Sequence, residues 1–160
     1  LTFLYRAPRI ELPPLNMGSI ASNYRSVLGI SHEDSLEMAK ITRGYSFAFQ
    51  VLGYYTWEDK NKDFRSSLSL VRAYLEDSVY VKIWSELSQG DEQFMKNVVT
   101  SGSGKAEAIK QLMQIDNSKY SVYRSRLIKN GILDGDKHGY LSVTLPMFEE
   151  FVREYSFFEE

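Results

Sequence analysis

The sequence predicts a mainly α-helical chain with one small β-hairpin near its C-terminal end, on three observations. Apolar residues recur at steps of three and four through most of the 160 residues. Glycine and proline punctuate that pattern at Pro13-Pro14, Gly29, Gly44, Gly90 and Gly131. A single glycine-rich stretch, DGDKHG (134–139), separates two short apolar runs, as a hairpin tip does. Hydrophobic residues make up 43% of the chain and aromatic residues 14%, enough to build a sizeable core without staples.

The first twelve residues, LTFLYRAPRIEL, offer a short buried strand at LTFLY and then a break at Pro13-Pro14. Met17, Ile20, Tyr24, Val27 and Leu28 share one side of a first helix that Gly29 stops. Ser31 caps a second helix, with Asp34 three residues on, and Leu36, Met38, Ala39 and Ile41 form its inner side up to Gly44. Tyr45–Glu58 is a third helix, rich in aromatics, whose apolar residues wrap most of its circumference, which predicts burial on several sides. DKNKD (59–63) is a charged connector and the expected domain boundary. A long helix over Phe64–Leu87 follows, with Leu68, Val71, Leu75, Val79, Ile83 and Leu87 as its apolar stripe. Gly90 ends that segment, and Asp91 caps a helix running to Val99.

The stretch from Lys105 to Leu145 carries the functional signal. Lys105–Gln114 places Ala108, Ile109, Leu112 and Met113 on one face. Asp116 or Asn117 caps a second helix, Ser118–Asn130, which Gly131 closes. At 100° per residue, Tyr120, Tyr123 and Leu127 fall together on one side of it. Ser118, Lys119, Val122, Ser125, Arg126 and Lys129 fall on the other. Ile132-Leu133 and Tyr140–Thr144 then pair around the hairpin tip, and a last helix spans Leu145–Phe158 with Pro146 in its first turn. Two short helices followed by such a hairpin make a winged helix-turn-helix domain. Arginine suits guanine edges, lysine suits phosphates and a methyl-bearing residue suits thymine, so the second helix has the mixture that a major-groove helix needs. The expected DNA-binding residues are Ser118, Lys119, Val122, Arg126 and Lys129, with Lys137 and His138 at the tip. Winged helices also mediate protein contacts, and that reading stays open. The closing FFEE (157–160) reads as core or disorder, with an exposed aromatic tail or a docking peptide as alternatives.

Charge supports a local docking face. Residues 105–140 hold seven Lys/Arg against four acids, a surplus of +3, which leaves −5 on the rest of a chain whose net charge is −2. Ordinary surface scatter is the alternative. There is no cysteine, which excludes disulfides, thiolate zinc sites and cysteine nucleophiles, and His32 and His138 stand alone, so no metal site is expected. No apolar run is long enough for a bilayer, and a cytoplasmic setting without membrane contact is the expectation. The carboxylate pairs are adjacent in sequence and splay apart on a helix, and no serine lies in a nucleophile motif, so no catalytic residue is expected. SGSGKA (101–106) has the outline of a phosphate-binding loop. Val99 stands where that motif needs its first glycine and Ala106 where it needs a hydroxyl, so the stretch reads as a turn between helices.

RIELPPL (9–15) and ITRGYSFAFQVLGYYTWE (41–58), followed by KAEAIKQL, SVYRSRLIKNGIL and GYLSVTLPMFEEFV, resemble the C-terminal part of AAA+ ATPases, in particular prokaryotic ATP-binding proteins related to origin-recognition and STAND-type ATPases. The likeness covers nearly the whole chain. It implies that residues 1–60 are a helical lid with the end of the ATPase core, and residues 61–160 a winged helix-turn-helix domain. It further implies a longer parent whose upstream core binds ATP and magnesium and is the lid's partner, with no cofactor held in this segment. Lids of this kind often carry an arginine just after the turn glycine. Here Gly44 is followed by Tyr45-Ser46-Phe47, and the arginine, Arg43, precedes it. Arg43 and Tyr45 are therefore the nucleotide-lid candidates, with Arg43 alternatively a helix C-terminal cation favoured by the macrodipole. Together these readings predict a lid and a regulatory or DNA-binding winged helix, coupled through the Phe64–Leu87 helix. A protein-binding module that regulates the ATPase without touching DNA is the main alternative, and an independent helical regulator with no ATPase parent is a third.

Overall fold

The computed structural model describes residues 13–157, so the strand expected at Leu1–Tyr5 and the tail past Phe157 lie outside the described residues. Three helices open the described part: α1 (Met17–Leu28), α2 (His32–Thr42) and α3 (Ser46–Glu58). Their starts and stops follow the chain's own chemistry. Asn16 caps α1 by accepting from the Ser19 amide at 3.1 Å, and Ser31 caps α2 by accepting from the Asp34 amide at 3.0 Å. Gly29 ends α1 in the left-handed region, its N–H donating to Arg25 O. Ile20, Ala21 and Tyr24 of α1, Met38 and Ala39 of α2, and Ala48, Val51 and Leu52 of α3 form the shared core.

The corner between α2 and α3 is the tightest point of this bundle. Arg43 and Gly44 are both left-handed, at φ 51° and 77°. The Leu15 amide donates to Gly44 O at 2.8 Å, and a Cβ on Gly44 would lie 2.8 Å from Leu15 O and 2.9 Å from Pro14 Cβ. The incoming chain therefore passes where any other side chain would stand. One expectation fails at α3: the helix is not buried on several sides. Tyr54 and Trp57 are 57% and 54% exposed, and with Tyr24, Val27 and Phe49 they line an open cleft of about 340 Å³ between α1 and α3. Among the described residues α3 packs on α1, α2 and α4, and these cover only its Ala48–Leu52–Thr56 side.

The long helix runs on to Ser85 but changes its winding partway. α4 (Phe64–Leu75) passes into a π-helical turn, Glu76–Tyr80, and then into α5 (Val81–Ser85). Its buried residues are Phe64, Ser67, Val71 and Leu75, then Tyr80 and Trp84. The step from Leu75 to Tyr80 is five residues, one more than an α-helix allows on a single face. Val79, Ile83 and Leu87, expected inside, are only half buried. The extra residue rotates Tyr80 and Trp84 onto Phe148 and Phe151 of the last helix, with ring centroids 5.0–6.5 Å apart, and large rings bury more apolar area than the aliphatic residues they displace.

The rest folds over this aromatic platform. α6 (Gln89–Thr100) starts earlier than expected because Ser88, not Asp91, is its cap; Gly90 lies inside its first turn. α7 (Ala106–Met113) and α8 (Asn117–Lys129) follow, the latter capped by Asp116. A two-stranded antiparallel sheet pairs β1 (Leu133–Asp134) with β2 (Ser142–Val143), Leu133 opposite Val143. Lys105 adds a bridge to Tyr140. Gly104 is what permits it: its Cβ would fall 2.0 Å from Leu141 O, so SGSG is shaped by the close approach of the hairpin. α9 (Phe148–Phe157) starts later than expected, because Leu145-Pro146-Met147 forms a turn with Met147 at φ 59°.

Gly44→Ala is expected to destabilise the chain by about 1–3 kcal/mol through strain and the clash with Leu15 O. Gly29→Ala, at φ 69° with nothing within 4 Å of the added Cβ, should cost less. Equal losses in chemical denaturation would refute the crowding argument. A second expectation concerns buried phenols. Tyr24 donates to Phe49 O at 2.6 Å and Tyr80 donates to Pro146 O, and burial pushes both well above the ordinary value of about 10. A raised folded pKa favours the protonated form, so this stability is present below about pH 10 and is lost as the pH rises further and the unfolded phenols ionise. Tyrosinate absorbance should therefore show part of the tyrosines ionising only as helical circular dichroism is lost; titration of all of them near pH 10 in an intact fold would contradict it.

Candidate nucleic-acid interface

α8 is held by rings. Phe94 of α6, fully buried, lies 5.6 Å from the Tyr120 ring and 5.4 Å from the Tyr123 ring, and Leu127 completes the inner side. Gly90 explains how close α6 comes: a Cβ there would meet the Tyr123 hydroxyl at 2.8 Å. The expected division of α8 into an inner tyrosine side and an outer polar side is what the structure has. Burial pushes the Tyr120 hydroxyl upward and keeps it neutral. Ser118, Lys119, Val122, Ser125 and Lys129 are exposed on the other side, Val122 at 57%. Among the described residues neither Lys119 nor Lys129 has an ion-pair partner.

Several of the basic residues in this region do internal work. Lys110 donates to Asn117 Oδ1 at 2.7 Å, pairs with Glu107 and lies over the Tyr120 ring, which ties α7 to the start of α8. Arg124 donates to Gly135 O at 2.9 Å and so fixes the hairpin to α8. Arg126 Nε donates to Asp91 Oδ1 at 2.9 Å, and its guanidinium sits 5.5 Å from the Tyr123 ring centre. Asp91 was legible as part of a helix start; its partner, thirty-five residues away, was not. At the hairpin tip Lys137 lies 4.1 Å from the Tyr140 ring centre and His138 is exposed.

Arg43 and Tyr45 belong to a different place. Arg43 Nη1 donates to Val143 O at 2.8 Å, Leu145 O at 3.2 Å and Glu149 Oε1 at 3.0 Å. It clamps the α2–α3 corner to the strand β2 and the start of α9. Tyr45, half buried beside Phe47, has its hydroxyl pushed upward by burial. The sequence pattern could place Arg43 at the end of α2 but not reveal that its guanidinium reaches a hairpin one hundred residues on. Among the described residues no three His, Asp or Glu side chains gather as a metal site would require, and no helix is long and apolar enough to cross a membrane.

A family model described as Domain of unknown function (DUF8462) matches residues 77–152, from inside the π turn into α9. The matched part contains α6, α7, α8, the hairpin and the aromatic platform, and leaves out α1–α3. No curated protein and no solved structure matches the chain.

Arg43→Gln is expected to loosen the hairpin. Hydrogen bonds from a charged group are worth about 1.5–3 kcal/mol, so amide exchange at Thr144, bonded to Ile132 O at 3.0 Å, should rise by roughly tenfold or more. Amides of α8 should keep their protection. Unchanged exchange at Thr144 would show that the clamp contributes nothing to the hairpin's position.

Proposed function

We propose that the chain is the lid and winged-helix part of an AAA+-like ATPase, and that its winged helix docks on duplex DNA through α8. The order α6, the Lys105 bridge, α7, α8, β1, β2 supports the winged-helix reading, because that is how such domains alternate helices and strands. The observation that carries the DNA reading is the uncovered outer side of α8. Ser118 and Ser125 can donate to phosphates or bases, Val122 offers methyl groups, and Lys119 and Lys129 stand about 15 Å apart along the axis, the rise of ten residues. Both cations are exposed and can reach phosphates that flank a groove holding α8. Lys137 and His138 at the wing tip are the further candidates.

The lid reading rests on the GYSFAFQVLGYYTWE resemblance and on the three-helix bundle that carries it. ATP and magnesium would be held by the upstream core. The residues present here do not suit direct contact with a nucleotide: Arg43 Nη1 is occupied by the hairpin and Glu149, and Tyr45 is half buried. No step is therefore assigned to the nucleotide in this segment. A second reading, capture of a protein partner by the same face, draws support from Val122 at 57% exposure and from the net charge of −2.

Lys119→Glu with Lys129→Glu separates them. Arg126 is left alone because a glutamate there would face the buried Asp91 carboxylate. Titrated with a random-sequence duplex over a range of salt, the parent chain should bind with a salt-dependent affinity, and the double variant should bind more weakly with a slope reduced by about 2. Absence of salt-dependent binding by the parent chain would overturn the DNA reading and leave the protein reading.

A further inference from the structure

We propose that Arg126 reads a guanine in the DNA contacted by α8, and that Asp91 is the residue that positions it. This rests on the DNA reading above. A free arginine side chain loses rotamer entropy when it docks, which blunts its selectivity unless something holds it beforehand. Here two contacts hold it. Nε donates to Asp91 Oδ1 at 2.9 Å, and the guanidinium lies 5.5 Å from the Tyr123 ring centre. The ring is itself wedged between Phe94 and Gly90.

Asp91 is equally fixed. Its side chain is 5% exposed, it sits in the first turn of α6, and its Oδ2 accepts from Ser88 Oγ at 2.6 Å. Asp91 accepts from the arginine at Nε alone. The two Nη groups have no partner among the described residues, and the Arg126 side chain is 45% exposed on the side of α8 that carries Val122 one turn earlier. A guanidinium held at Nε presents Nη1 and Nη2 as a planar end-on fork. Guanine answers such a fork with O6 and N7 in the major groove, the one base edge there with two adjacent acceptors. A purely structural ion pair needs only a cation beside Asp91, and a lysine would serve. A base reader needs the fork.

The test separates these. The chain is used to select duplexes from a random pool, and the selected duplex is compared with the same duplex carrying 7-deazaguanine, which lacks the N7 acceptor. The parent chain is expected to favour a guanine at one position and to lose on the order of tenfold in affinity with 7-deazaguanine there. Arg126→Lys should fold normally, keep the salt slope and bind both duplexes equally. Asp91→Asn should keep the fold and show reduced discrimination, because the neutral amide holds the guanidinium less firmly. Selection without a guanine preference, or discrimination that survives Arg126→Lys, would overturn the assignment while leaving DNA binding intact. Failure of the parent chain to retain any duplex in a salt-dependent way would instead remove the DNA reading on which the assignment rests.

Discussion

The placement of α8 depends on one buried ring. Phe94 lies within 5.6 Å of both Tyr120 and Tyr123, and these two tyrosines set the rotation of the helix about its axis. Every claim about the outer face follows from that rotation, since a turn of 100° would exchange Lys119 for Tyr120. The ring contact is also what commits α6 to its path. Tyr123 needs the space above Gly90, and Gly90 can sit in the first turn of α6 only because Ser88 has already capped it. The cap, the glycine and the three rings are one unit, and Arg126 rests on its edge.

Much of the fold was legible because local rules and burial agree along most of the chain. The inner residues of α6, namely Phe94, Met95, Val98 and Val99, are all buried as their spacing requires. Asp116, Ser31 and Gly29 mark helix ends for reasons visible within four residues of each. Some failures needed a partner far away in sequence, whereas the early start of α6 at its Ser88 cap and the late start of α9 after Met147 were local. Gly90 reads as a stop until Tyr123 is placed beside it. Val79 and Ile83 continue a regular stripe until Phe148 and Phe151 offer Tyr80 and Trp84 more area, at which point a π turn is cheaper than leaving those rings in water. α3 reads as buried all round because composition says nothing about how many neighbours a helix has.

The site divides the same way. The tyrosine side and the serine-lysine side of α8 are a property of spacing alone, and the structure keeps that division. Charge counting was less informative, because it treated all seven cations of residues 105–140 as surface. Lys110 and Arg124 are fastened to Asn117 and to the Gly135 carbonyl, where they hold elements together. Their charge still adds to the field that a polyanion would meet, but Lys119 and Lys129, exposed and without an ion-pair partner among the described residues, are the ones free to reach a phosphate.

The bundle and the rest of the chain are joined in two ways. One is the helical run from Phe64 to Ser85, continuous through the π turn at Glu76–Tyr80; the other is the α2–α3 corner. Pro14 and Leu15 press on Gly44; Arg43, its neighbour, holds the carbonyls of Val143 and Leu145 and the carboxylate of Glu149. The Leu15 amide donates to Gly44 O at 2.8 Å, so the segment leading into α1 is tied to the same corner whose Arg43 bonds Val143 O and Leu145 O. These hydrogen bonds join the start of the bundle to the hairpin without passing along α4.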